Sequence, residues 1–261
     1  VSDSDQAAMD AQDAELAAVL AGEAGQLLLE LRERTGLTGR ELGDAGDAAA
    51  NTLLVESLRD IRPDDGILSE ESADGPERLR MDRVWIIDPL DGTREYGEGR
   101  SDWAVHVALS IGGRAAIGAV ALPGVPGSPV LRSDFPAVLP PLPDVPRMVV
   151  SRTRPAAEAA AVAEILGADC VPMGSAGAKA MAIVRGEAEI YLHSGGQHEW
   201  DNCAPVAVAA AHGLHCSRID GSAMRYNNAD TRIPDLLICR LDYAERVLAL
   251  VAREAEEEPI S

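Results

Sequence analysis

The chain has 261 residues, enough for one large folded unit or two lobes sharing an interface. It is 46% hydrophobic but only 3% aromatic, so its core must be built from Ala, Val, Leu and Ile. A formal net charge of −20 excludes nucleic-acid polymers and anionic membrane surfaces as partners, since both call for basic patches. A small anion remains compatible with such a chain where bound cations stand between the two. No apolar run reaches the roughly 20 residues of a membrane span. The polar, acidic stretch Val1–Asp13 does not read as a signal peptide. Cys170, Cys203, Cys216 and Cys239 form no C-x-x-C pair, so neither a zinc site nor a disulfide framework can be read from them. They suit buried thiols in a reducing cytosol, and the expected location is cytoplasmic.

In chain order, Leu16, Val19, Leu20, Leu27 and Leu31 recur at helical spacing and predict an amphipathic helix over 14–34. A second helix is expected from Asp47 to about Asp60, stopping before Pro63. Ile67–Glu71 and the apolar run Val84–Ile87 read as strands, the latter entering a loop at Asp88-Pro89-Leu90-Asp91-Gly92-Thr93. Further strands are expected at Trp103–Ile111, Ala115–Leu122 and Pro129–Arg132. Residues 134–146 contain five prolines and read as the connection between an N-terminal lobe (1–133) and a C-terminal lobe (147–261). The second lobe reads as strand Met148–Ser151, helix Pro155–Leu166, strand Cys170–Met173, helix Ser175–Arg185 and strand Ala188–Leu192. Helix Asp201–Ala211, strand Leu236–Cys239 and a last helix over 242–256 follow, with a disordered tail expected after Arg253. The mixture of elements defines an α/β or α+β class.

Asp88 and Asp91 flank a rigid Pro-Leu step and precede Gly92, so one loop can aim two carboxylates and a carbonyl at one point. Oxygen donors of this kind suit a hard cation such as Mg²⁺, and Thr93 sets a hydroxyl beside them. A surface turn would use the same residue types. A calcium loop is excluded, because its twelfth position falls on Gly99. Glu70 and Glu71 end a strand, where neighbours face opposite sides, so one of them at most points at a given site. Asp201 sits at an expected helix N-terminus, which serves equally as a cap and as a phosphate-binding end. Asp47 likewise reads as a helix cap or as a functional acid. His106 lies in an alternating strand and reads as structural, and His198, His212 and His215 receive no catalytic role.

Three motifs together resemble the lithium-sensitive inositol monophosphatase-like family: Trp85-Ile86-Ile87-Asp88-Pro89-Leu90-Asp91-Gly92-Thr93, Glu70-Glu71 upstream, and Trp200-Asp201 with Ala204-Pro205 downstream. Asp47 matches a further acid of that pattern, and the likeness runs from about residue 14 to the last strand. Within the family, Arg94-Glu95-Tyr96, Ser151-Arg152-Thr153-Arg154 and Gly174-Ser175-Ala176-Gly177-Ala178-Lys179 resemble the bisphosphate nucleotidase branch. Lys179 is the only lysine in the chain.

The resemblance implies a layered α-β-α-β-α sandwich of the inositol monophosphatase and fructose-1,6-bisphosphatase type. It implies two or three Mg²⁺ ions held by Glu70, Asp88, the Leu90 carbonyl, Asp91, Asp201 and Asp47. Metal-activated water would attack the phosphate, with Thr93, Asp47 and Glu70 as the catalytic group. Gly92, Thr93, Arg94, Arg154, Gly174, Ser175, Lys179, His193 and Asp201 would contact the substrate. That substrate would be a nucleotide 3′,5′-bisphosphate, cleaved to the 5′-monophosphate in sulfate assimilation. Inositol or fructose phosphates would share every metal ligand, and a non-catalytic relative would share the scaffold. The nucleotidase pattern often has Arg where His193 stands and His where Arg154 stands, which bears on substrate preference rather than on the metals. Monomer and homodimer both remain open.

Overall fold

The computed structural model describes residues 3–257. Strands β1 (Gly66–Ser69), β2 (Arg83–Asp91), β3 (Ala104–Ile111), β4 (Arg114–Ala121) and β5 (Val130–Arg132) form one sheet in that order. Only β1 and β2 run parallel in it; the remaining pairs are antiparallel. Strands β6 (Arg147–Ser151), β7 (Asp169–Met173), β8 (Ile190–His198), β9 (His215–Ser217) and β10 (Arg232–Cys239) form a second sheet in the order β7-β6-β8-β10-β9.

Helices α1 (Asp3–Arg34) and α2 (Gly39–Ile61) cover the outer face of the first sheet, followed in the chain by a single-turn helix α3 (Thr93–Gly97). Helices α4 (Ala157–Leu166) and α7 (Leu241–Glu257) cover the outer face of the second sheet. Between the sheets lie α5 (Ala176–Val184) and α6 (Glu199–Ala211). The order is therefore α-β-α-β-α, as expected.

The strand periodicity explains the layering. On β2, Trp85 and Ile87 face the α1/α2 side while Val84 and Ile86 face α5 and α6. A strand buried on both faces must be apolar throughout, which is what Val84–Ile87 is. With one Phe and three Trp in the chain, the middle layer is filled by small residues, and Ala204, Val208 and Ala209 of α6 lie fully buried in it.

Most elements lie within about two residues of their expected bounds, and the exceptions are informative. Helix α1 begins eleven residues before position 14, at Asp3. Helix α2 begins at Gly39, so Asp47 stands in its third turn and is not a cap. The expected loop at Asp88–Asp91 is the end of β2. Strand β8 runs on to His198, β10 begins at Arg232, and β9, α3 and a 3₁₀ turn at Pro76–Arg80 went unread. Residues 134–146 carry no helix or strand. The expected disordered tail is helical to Glu257, and its remainder, 258–261, lies outside the described residues.

Candidate metal centre

In a regular strand, residues three apart point to opposite faces. Asp88 pairs with His106 and Asp91 with Ala104, so three steps on β2 oppose two on β3. This bulge, between Asp88 and Asp91, carries the extra residue that turns both carboxylates toward one point. Leu90 N donates to Asp88 Oδ1 at 3.1 Å and fixes that side chain within the bulge. Gly92 then takes φ 92°, a left-handed angle that lets the chain turn directly into α3.

Asp201 arrives from the other sheet, at the third position of α6. Its Oδ2 accepts from His198 N at 2.5 Å, closing a capping box with His198 as the N-cap. The N-cap role expected for Asp201 thus belongs to His198. Asp88, Asp91 and Asp201 bring ligand oxygens within 4.8 Å of one another. Glu70 follows the end of β1, within hydrogen-bonding reach of Asp88. On α2, Asp47 Oδ1 lies 3.5 Å from Thr93 Oγ1, which donates to the Leu90 carbonyl at 3.1 Å. Asp88, Asp91 and Asp201 therefore converge at one end of β2, with Glu70 beside Asp88 and Asp47 reached through Thr93.

The titration of these groups reports the crowding. Burial, then the charges of Glu70, Asp91 and Asp201, holds Asp88 well above the usual carboxylate range. Burial and Glu71 push Asp47 up to about 7, against the pull of Thr93. Burial of its carboxyl, with Asp91, Glu71 and Asp47, raises Glu70 to about 7, although the residue as a whole sits at the exposed rim. Burial and Asp91 raise Asp201 to about 7. Asp91 alone goes the other way: burial would raise it, but His106, Ser175 Oγ and Gly177 N hold it down to about 2. No Arg or Lys forms an ion pair with any of these five acids among the described residues. An all-oxygen set with excess negative charge fits a hard divalent cation.

The expected substrate residues divide into two groups. Ser175 caps α5, accepting from Ala178 N at 2.9 Å, with φ 41°. Its hydroxyl donates to Asp91 Oδ2 at 2.6 Å. Gly174 N donates to Asp102 Oδ2 at 2.7 Å. Lys179 is buried, and its ammonium donates to the Gly174 and Ser175 carbonyls at 2.9 and 2.6 Å. In this structure the lone lysine holds the turn that carries Ser175, rather than standing exposed. Arg94 and Arg154 are exposed, Arg94 lying 3.5 Å from Glu98. His193 is half-buried and its Nε2 donates to the Gly195 carbonyl at 2.8 Å. Burial and the nearby Lys179 lower its pKa.

Sequence reasoning missed His106, whose Nε2 lies 3.2 Å from Asp91 Oδ2. The available signal was a polar residue on the β3 face shared with Ala104 and Ala108, both core residues. It also missed Arg152, just after β6, which donates to Glu95 of α3 and to its C-cap Glu98 at 2.7 and 3.0 Å.

A model of the inositol monophosphatase family matches residues 2–133 and 144–258. The chain is 50% identical over 253 residues to the 3′-phosphoadenosine 5′-phosphate phosphatase of Mycobacterium leprae, which covers 92% of this chain and 93% of that protein. It is 30% identical over 201 residues to the 3′(2′),5′-bisphosphate nucleotidase CysQ of Escherichia coli K12, over 70% of this chain and 78% of that one. The fold superposes on CysQ from Bacteroides thetaiotaomicron with a TM-score of 0.74 at 23% identity, covering 88% and 97% of the two chains. It superposes on the inositol monophosphatase of Anabaena with a TM-score of 0.73 at 21% identity, covering 92% and 95%. With five acids gathered at one strand end, a shared fold, and a match over nearly the whole length, the chain belongs to the inositol monophosphatase family.

Proposed function

We propose that the chain is a metal-dependent phosphomonoesterase that removes the 3′-phosphate of 3′-phosphoadenosine 5′-phosphate, giving AMP and phosphate. The observation that carries this reading is the convergence of Asp88, Asp91 and Asp201 in a chain half identical to a phosphatase of that specificity. Glu70, Asp88, the Leu90 carbonyl, Asp91 and Asp201 would hold two Mg²⁺ ions, and Asp47 with Glu70 would serve a third. Bound there, the ions supply charge neutralisation for the phosphate and a lowered pKa for water.

The protein's own groups do the rest. Thr93 Oγ1 stands between the Leu90 carbonyl and Asp47 Oδ1, so it can turn its proton to either and leave its lone pairs to orient an attacking water. Asp47, with a pKa of about 7, accepts a proton near neutral pH. Glu70, raised to about 7 in the metal-free protein, would give up that proton on binding a cation and so acts here as a ligand beside Asp88. The N-terminal ends of α3 and α6 carry Thr93 and Asp201, and the dipole of a helix N-terminus favours an anion. Gly92 keeps the chain close to this point, and Gly174, Ser175 and the first turn of α5 border it. Exposed Arg94 and Arg154 and half-buried His193 are the groups we assign to the outlying parts of the nucleotide.

The same reading extends to 3′-phosphoadenylyl sulfate as a second substrate, to inhibition by lithium, and to a place in sulfate assimilation. Its test is phosphate release in Mg²⁺, with and without lithium, from 3′-phosphoadenosine 5′-phosphate, inositol 1-phosphate and fructose 1,6-bisphosphate. A lithium-sensitive preference for the nucleotide supports it. A preference for either sugar-type phosphate would keep the metal chemistry and discard the substrate.

A further inference from the structure

The inner face of β3 carries one fully buried imidazole between two alanines. His106 sits between Ala104 and Ala108, and all three are 0% exposed. Its Nδ1 lies 2.9 Å from the Trp200 carbonyl. A carbonyl only accepts, so Nδ1 carries a hydrogen and donates. Its Nε2 lies 3.2 Å from Asp91 Oδ2, in a contact too bent to be a straight hydrogen bond. The ring is seated against Gly177, where a Cβ would fall 2.0 Å from Nε2. Any side chain at 177 would therefore displace the imidazole.

Asp91 Oδ2 is occupied from three directions. Ser175 Oγ and Gly177 N each donate to it at 2.6 Å, and His106 closes the third side. Asp91 Oδ1 makes no hydrogen bond among the described residues and is the oxygen left for a ligand. The other end of the imidazole holds the peptide of Trp200, the residue directly before Asp201. One ring thus links two acids that come from different layers, Asp91 from the end of β2 and Asp201 from the start of α6.

We propose that His106 is a positioning residue for the metal centre: it fixes the Asp91 carboxylate with Oδ1 presented, and sets its spacing from Asp201. The inference rests on the reading of Asp91 and Asp201 as metal ligands. A carboxylate free to rotate would have to be ordered at each binding event. Hydrogen-bonding partners of ligating groups commonly contribute 10–100-fold to metal affinity, about the scale expected here.

The experiment is a calorimetric titration of the full chain with Mg²⁺, run beside the melting temperature of the metal-free protein. The variants are His106→Leu, His106→Asn and His106→Gln, with Asp88→Asn as the control for the site itself. Leu removes both contacts, Asn keeps only the reach to the Trp200 carbonyl, and Gln extends an amide toward Asp91. The expected result is a Kd for Mg²⁺ raised about 10–100-fold in the Leu and Asn variants and largely restored in Gln. Affinity should not follow the order of melting temperatures, which is what separates positioning from space-filling. Wild-type affinity in the Asn variant overturns the proposal, and that variant decides the matter if Leu fails to fold. Mg²⁺ uptake by the wild type that Asp88→Asn leaves unchanged, or no uptake at all, overturns the ligand reading and this inference with it.

Discussion

Asp88 and Asp91 stand three residues apart on one bulge, yet their surroundings are opposite. Asp88 faces Glu70 and the other acids, and its pKa is driven up. Asp91 faces His106, Ser175 and Gly177, and its pKa is driven down to about 2. One side of the centre is satisfied by the protein and the other is left with uncompensated negative charge. A site built this way has its geometry fixed from the Asp91 side, while the Asp88 side supplies the attraction for a cation. The comparison assigns different work to two residues that the sequence motif presents as equivalent.

Asp88→Asn and Asp91→Asn should break the comparison most sharply. Both remove a ligand, so phosphate release should fall by at least about 10²–10³-fold in each. Their effects on the metal-free fold should have opposite signs. At Asp88, an amide keeps the acceptor for Leu90 N and offers Glu70 a donor in place of a like charge. The metal-free melting temperature should rise. At Asp91, an amide removes the negative charge that His106, Ser175 Oγ and Gly177 N all face, and leaving such buried groups poorly matched costs about 1–3 kcal/mol. The melting temperature should fall. Two scans without Mg²⁺ decide it, and shifts of the same sign would erase the distinction.

Thr93→Ala comes next in size. It removes a hydroxyl held by Leu90 and Asp47 without touching a carboxylate, so kcat should drop about 10²-fold or more while Mg²⁺ affinity by calorimetry is kept. Loss of Mg²⁺ binding would mean that Thr93 supports the ligands instead of the water.

The uncompensated side should also set the pH dependence. Asp47, Glu70 and Asp201 have folded pKa values of about 7, above the ordinary carboxylate value of about 4. Protonation therefore favours the folded state. That stabilisation is complete below about pH 4 and is lost as pH rises through about 7. Between pH 5.5 and 8 Asp91 is ionised in both the folded and the unfolded chain and contributes almost no slope. Metal-free protein should melt higher at pH 5.5 than at pH 8, each kcal/mol reading as roughly 2–4 °C in a chain of this size. Saturating Mg²⁺ should lift the pH 8 curve most, by mass action on the ionised form. A metal-free melting temperature that is flat between those pH values would contradict the crowding.

The strands, their layering and the cluster of Asp88, Asp91 and Asp201 were legible because an apolar run buried on both faces ends in a recognisable acidic motif. What escaped has a physical reason in each case. Gly39, Gly43 and Gly46 lower helix propensity before Asp47, so α2 seemed to begin there; its burial against the first sheet and α3 overrides that cost. Pro89 and Gly92 read as loop punctuation, yet a bulge tolerates Pro and keeps Asp88 to Asp91 in the ladder. His106 looked like any satisfied core histidine, because the strand pattern does not say which residues of the other sheet its face will meet. Lys179 drew attention as the only lysine, but its partners are carbonyls four and five residues back on its own loop.

The smallest expected effect concerns the outer rim. Arg154 and Lys179 were drawn from the same substrate pattern, but one is exposed and the other is 5% exposed with its donors spent on the chain. Arg154→Ala should leave kcat and melting temperature in place and raise KM for the nucleotide by about fivefold. That is the size of roughly 1 kcal/mol from a solvated ionic contact. Lys179→Met frees two buried carbonyls and loosens the loop that holds Ser175 against Asp91, so it should lower kcat and the melting temperature together. If Lys179→Met raised KM alone, the ammonium would have to leave the Gly174 and Ser175 carbonyls to meet substrate. The division between an outer rim that selects and an inner loop that positions would then fail.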